Sequence, residues 1–156
     1  MKPFFLLMAL LSAVSPAWTA PPMTLAEYEL GWARYYAQQY RVPEELVEAI
    51  IIVESGGNPY AVSSKGAAGV MQLMPRTAYE FRVRNRFLIQ DNIRAGVAYL
   101  AVLMREFHGD LRLVVAAYYA GAGRIARQKL ACSSPAIYNY VERVAGEYHA
   151  LEAGRR

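Results

Sequence analysis

The sequence predicts a single, mostly α-helical domain, and three observations carry that reading. Apolar residues recur at i, i+3, i+4 and i+7 along most of the chain. Ser, Thr, Asp, Pro and Gly stand where helices should start and stop. No alternating hairpin pattern and no internal repeat interrupts this. At 156 residues the chain is long enough for one core of its own, and 55% hydrophobic against 19% charged residues excludes a disordered chain.

Taken in order, Lys2 is followed by an apolar run from Phe4 to Val14, too short to span a bilayer comfortably. Ser15-Pro16-Ala17 then offers small residues at a signal-peptidase site, so residues 1–17 read as a cleaved secretory signal. Ala20 is the alternative end, and an uncleaved anchor is the other reading of the run. No second apolar stretch of membrane length follows, so no stable membrane span is expected after cleavage. The folded domain is placed at 25–150 with a tail at 151–156, of which Arg155-Arg156 reads as loose.

Thr24 is a plausible N-cap for a helix over 26–40, whose aromatic stripe Tyr28, Trp32, Tyr35 and Tyr36 reads as core. Pro43 suits the first turn of the next helix, which runs to Ser55. Pro75 starts a short helix to about Phe81, and 82–90 looks irregular. Asp91 is placed as the cap of a helix over 92–107, and Asp110 as the cap of one over 111–120. Gly121-Ala122-Gly123 reads as a hinge into a helix over 124–130. Ser134-Pro135 opens the last helix, Ala136 to about Leu151.

The chain is organised around 53–75. Here Ile50-Ile51-Ile52-Val53 ends in Glu54, and Ser55-Gly56-Gly57-Asn58-Pro59 stops the helix. At about 100° per residue, Glu44, Glu45 and Glu48 face one side, for water. Leu46, Ala49, Ile50 and Val53 face the other, and Glu54 projects among them. A lone acid in apolar surroundings is a candidate for a raised pKa and for general acid work; a frayed helix end reaching solvent is the alternative. The loop after it is rich in Gly, Ala and Ser and holds no acid before Glu80.

Other chemistry is thin. Cys132 is the only cysteine, which rules out an internal disulfide and a CxxC or zinc pattern, so no metal site is expected. His108 and His149 stand alone and read as surface residues. The formal net charge is +4, with Arg76, Arg82, Arg84 and Arg86 the densest basic cluster. Attraction to an acidic polymer and an ordinary solvated surface both fit that cluster. Neither aromatic interleaving nor a motif points to nucleic acid.

Residue order adds more. Glu54-Ser55-Gly56 with Asn58-Pro59, then 66–75 (GAAGVMQLMP), then Asn92-Ile93-Arg94-Ala95-Gly96, then 116–121 (AAYYAG), then Tyr138-Asn139-Tyr140-Val141, resemble the ordered blocks of the soluble lytic transglycosylase family. The match spans roughly 25–148. It implies a lysozyme-like fold (goose-type, SLT) with a catalytic cleft. It also implies an enzyme that cuts peptidoglycan glycan strands in the periplasm without cofactor or metal. Glu54 would be the catalyst. It would protonate the bond between N-acetylmuramic acid and N-acetylglucosamine, then take the proton of the muramoyl C6 hydroxyl to leave a 1,6-anhydro product. Tyr118 would hydrogen-bond Glu54 and fix its direction. Ser63, Gly69, Met71, Gln72, Met74, Tyr119 and Tyr140 would bind substrate, with Gly69 letting backbone approach a sugar, and Asn92 would support the loop. Loop folding is the alternative for Ser63, Gly69, Met71, Gln72 and Met74, and core packing for Tyr118 and Tyr140. Tyr119 stands where the family commonly has Asn. The short chain also suits an accessory role for a secretion, conjugation or pilus apparatus of the envelope. The rival readings are a true hydrolase of the lysozyme kind, which would need a second carboxylate near Glu54, and a glycan-binding module without catalysis.

Overall fold

A computed structural model describes residues 23–128 and 134–155. The leader, Cys132 and the end of the helix expected over 124–130 lie outside those residues. Helices dominate: α1 (Leu25–Tyr40), α2 (Glu44–Ser55), α3 (Pro75–Glu80), α4 (Ile89–Glu106), α5 (Leu111–Ala120), α6 (Ala122–Gln128) and α7 (Pro135–Gly154). Among the described residues strand-like pairing is limited to two isolated antiparallel bridges in the 56–74 loop, Val62 with Ala68 and Ala68 with Leu73.

Local chemistry sets most boundaries. Thr24 and Glu27 form a capping box on α1. Asp110 accepts from Arg112 and Leu113 N–H at the start of α5, and Ser134 from Ile137 N–H at the start of α7. Pro75 occupies the first turn of α3. Gly56 ends α2 in the left-handed conformation (φ 60°), which glycine adopts without a side-chain penalty. Two expectations need correcting. Pro43 precedes α2 as its N-cap residue instead of lying in its first turn. Asp91 is not a cap: α4 starts earlier, after Leu88, and Asp91 lies in its first turn near Arg94.

One core unites α1, α2, α4, α5, α6 and α7 around Val47, Ile50, Val97, Leu100, Leu103, Val114, Ala117, Ile125 and Ile137. α2 lies between α1 and α7, and α1 also packs along α4. No helix among the described residues is long and apolar enough to cross a membrane.

Three further expectations change. Of the α1 aromatic stripe only Tyr36 is buried. Tyr28 and Tyr35 are exposed and form an edge-to-face ladder with Trp32. Glu48 is buried, not solvated, because it accepts from Arg155 at 2.6 Å. The last helix runs past Leu151 to Gly154, and Arg155 is not loose, since it also reaches Glu45 at 2.7 Å and Glu44 at 3.0 Å.

Candidate active site

Glu54 sits one residue before the end of α2, half-buried, with α7 alongside. Tyr140 Oη donates to Glu54 Oε1 at 2.6 Å. Arg143, one turn further along α7, donates from Nη2 to the Val53 carbonyl at 3.1 Å. Burial raises the Glu54 pKa, and the Tyr140 hydrogen bond and then the Arg143 charge pull part of that back. The result is a carboxyl that keeps its proton to a higher pH than an ordinary glutamate.

The cleft in front of Glu54 has a volume of about 530 Å³. Ser63, Gln72 and Met74 line it from the loop, Tyr118 and Tyr119 from α5, Arg124 from α6, and Ile137 from α7. Glu54 is the one carboxylate among its described lining residues; Lys65 and Arg124 are its cations.

The loop wall is built from its own hydrogen bonds. Ser55 Oγ donates to the Val70 carbonyl at 2.8 Å and accepts from Gly57 N–H at 3.1 Å. Ser63 Oγ accepts from Ala67 N–H at 3.0 Å. Gln72 holds a positive φ of 48° while its Nε2 donates to the carbonyls of Ala61 and Gly69 at 3.0 and 2.9 Å. Asn92, fully buried on α4, ties the wall down. Its Oδ1 accepts from Met71 N–H at 2.8 Å, and its Nδ2 donates to the carbonyls of Ala68 and Arg86 at 2.9 and 2.7 Å. Arg86 Nη1 donates to the carbonyls of Gly66 and Leu73.

The predicted residues therefore fall into two groups. Glu54, Ser63, Gln72, Met74, Tyr118 and Tyr119 meet at the cleft. Gly69 and Met71 do not. A Cβ on Gly69 (φ 83°) would overlap Asn92 Nδ2 and the Arg86 carbonyl, so the missing side chain makes room for protein, not for sugar. The Met71 side chain is fully buried and fills the space that Gly96 leaves in α4. Asn92 supports the loop in the way expected of it.

Tyr118 needs a correction as well. Its hydroxyl donates to the Met71 carbonyl at 2.8 Å, not to Glu54. Glu54 takes its donor from α7 because Tyr140 reaches it there. The Tyr140 ring is 5% exposed and stacks on Tyr119, with ring centroids 4.6 Å apart. Burial and the Glu54 charge push both tyrosine hydroxyls well above their ordinary pKa, so both remain donors at neutral pH. Arg143 was missed from sequence. Its signal was the i+3 spacing from Tyr140, which places both on one face of α7. Lys65 and Arg124 carried no signal, since charges at loop and helix surfaces are usually just solvated.

A helical scaffold with a cleft whose described lining holds one half-buried, hydrogen-bonded glutamate defines a lysozyme-like class of protein. The match to the profile of the Transglycosylase SLT domain covers residues 32–141, and the chain belongs to that family. The membrane-bound lytic murein transglycosylases C of Serratia proteamaculans and Sodalis glossinidius are each 35% identical to it, over 63% of this chain and 32% of theirs. The chain thus spans about a third of the length of these relatives. Among solved structures, the lytic transglycosylase Slt of Pseudomonas aeruginosa, as an inactive Glu-to-Gln mutant, aligns with a TM-score of 0.65 and 29% identity, over 76% of this chain and 23% of that one. The 70-kDa soluble lytic transglycosylase in complex with bulgecin A aligns with a TM-score of 0.70 and 26% identity, over 83% and 26%.

Proposed function

We propose that this chain is a peptidoglycan lytic transglycosylase with Glu54 as its acid and base. The carrying observation is the Glu54 carboxyl itself: raised in pKa by burial, fixed by Tyr140, and alone as a carboxylate among the described lining of the cleft. Relatives named lytic murein transglycosylases support the reaction class, as does a family neighbour inactivated by one Glu-to-Gln change.

In this reading Glu54 gives its proton to the leaving O4 of N-acetylglucosamine as the C1–O4 bond breaks. The acetamido group of the muramoyl sugar stabilises the positive charge that a second carboxylate would otherwise face. Glu54, now ionised, removes the proton of the C6 hydroxyl as O6 bonds to C1. The tethered hydroxyl has an effective concentration of roughly 10⁵ M or more when well oriented, enough to outcompete water in the step. Ser63, Gln72, Met74 and Tyr119 contact the glycan along the cleft. Export through the leader would place the protein in the periplasm, where opening the wall for a secretion, conjugation or pilus apparatus belongs to the same proposal.

Digestion of purified peptidoglycan in water enriched in ¹⁸O tests this. The expected product carries a 1,6-anhydro end, one water lighter than a reducing muropeptide and unlabelled. Label at the new sugar end in most of the product means a hydrolase. No cleavage, with binding retained, means a glycan-binding module.

A further inference from the structure

A second pocket lies away from the cleft and shares no lining residue with it. It has a volume of about 480 Å³ and is bounded by the start of α1, one face of α2, Gly56-Gly57 and Leu151 of α7. Leu25, Leu30 and Ile52 give it apolar walls that are each more than 40% exposed. Two carboxylates belong to its lining, Glu29 and Glu48.

The two acids differ. Glu48 is already satisfied by Arg155. Glu29 is 5% exposed and has neither an ion pair nor a hydrogen bond among the described residues, so burial acts on it unopposed and raises its pKa. Gly57 (φ 78°) leaves the approach to this carboxylate clear: a Cβ there would press on both oxygens at 3.3 Å. The Glu29 oxygens reach the pocket, since no described buried side-chain oxygen lacks a hydrogen-bond partner, and a partly desolvated carboxylate without a counter-charge is disfavoured. It is stabilised when a cation arrives and shares the pocket.

We infer that this pocket docks a lysine side chain of a partner polypeptide, its ammonium on Glu29 and its methylene stem along Leu25, Leu30 and Ile52. Charge complementarity sets the sign of the ligand. The apolar rim sets its class, because exposed leucine and isoleucine side chains fit the methylene stem of a lysine and the apolar side chains that flank it in a polypeptide. The Glu54 cleft takes no part, so this site is independent of the proposed catalysis.

The test follows the Glu29 carboxyl by ¹³C NMR in the full chain while an acetylated, amidated leucyl-lysyl-leucine tripeptide is added at constant ionic strength. The expected result is a saturable shift of the Glu29 signal and at least tenfold weaker binding of the norleucine analogue. In Glu29→Gln, with binding read from the peptides by calorimetry, the two peptides bind alike, and unchanged peptidoglycan lysis shows that the variant is folded. Equal binding of the two peptides to the unaltered protein, or no saturable shift, overturns the inference. So does a saturable Glu29 shift produced by amine-bearing muropeptides and not by the lysine peptide, which would assign the pocket to the glycan.

Discussion

Replacing Tyr140 with phenylalanine isolates one hydroxyl at the centre of the proposed chemistry. The ring keeps its burial and its stacking on Tyr119, so packing changes little. What is lost is the 2.6 Å donor to Glu54 Oε1. A hydrogen bond to a charged group contributes about 1.5–3 kcal/mol, and here it also fixes which way the carboxyl points. If roughly 1.4–2.7 kcal/mol of that is expressed in the barrier, turnover falls about tenfold to a hundredfold. The pH profile gives a second readout with a definite sign. The Tyr140 bond lowers the Glu54 pKa against the larger rise from burial. Without it, Glu54 keeps its proton to higher pH, so the alkaline limb of the rate profile moves upward while the peak rate drops. The assay is clearing of a peptidoglycan suspension at a series of pH values, with the product end identified by mass. An unchanged rate, or an alkaline limb that moves down, refutes the positioning role of Tyr140.

Glu54→Gln should reduce lysis to background while glycan binding survives in a sedimentation assay. It should also raise the melting temperature at neutral pH. The folded pKa of Glu54 is raised, so its favourable contribution is present below the unfolded value and is lost as pH rises through the folded value; glutamine removes that loss. Tyr118→Phe strands the buried Met71 carbonyl and should cost about 1–3 kcal/mol of stability by denaturant unfolding, with a smaller effect on turnover than Tyr140→Phe. Gly69→Ala combines a left-handed φ with overlap against Asn92 and the Arg86 backbone. A loss of more than about 3 kcal/mol is expected, and a variant that melts with the unaltered protein would show the wall to be loose.

The helices were legible because each carries its own start signal. Thr24, Asp110, Ser134 and Pro75 act within one turn, so local chemistry decides them. Asp91 misled because a cap residue also serves well inside the first turn, and choosing between them needs the tertiary position of Leu88. Glu54 was legible from its apolar neighbours and from the order of the blocks. Its hydrogen-bond partner was not: Tyr118 and Tyr140 lie 64 and 86 residues beyond it, and which hydroxyl arrives depends on how α5 and α7 dock. The same limit explains Gly69 and Met71. A glycine beside a cleft looks alike whether it clears space for a sugar or for Asn92. The Glu48 surface assignment failed because helical projection cannot anticipate Arg155 from the far end of α7.

The bonds from Asn92 and Arg86 to the loop have a consequence for how this scaffold can be rebuilt. One wall of the cleft is stitched to α4 and the segment before it at four loop carbonyls and amides, those of Gly66, Ala68, Met71 and Leu73. Gly96 adds a matched gap for Met71. Loop 56–74 and 86–96 thus form a single cassette despite their separation in the chain. A designer who grafts a new loop to reshape the cleft must move both stretches together. Swapping the loop alone would leave Asn92 buried with unmet hydrogen-bonding groups, and the graft would fail in folding before its specificity could be read.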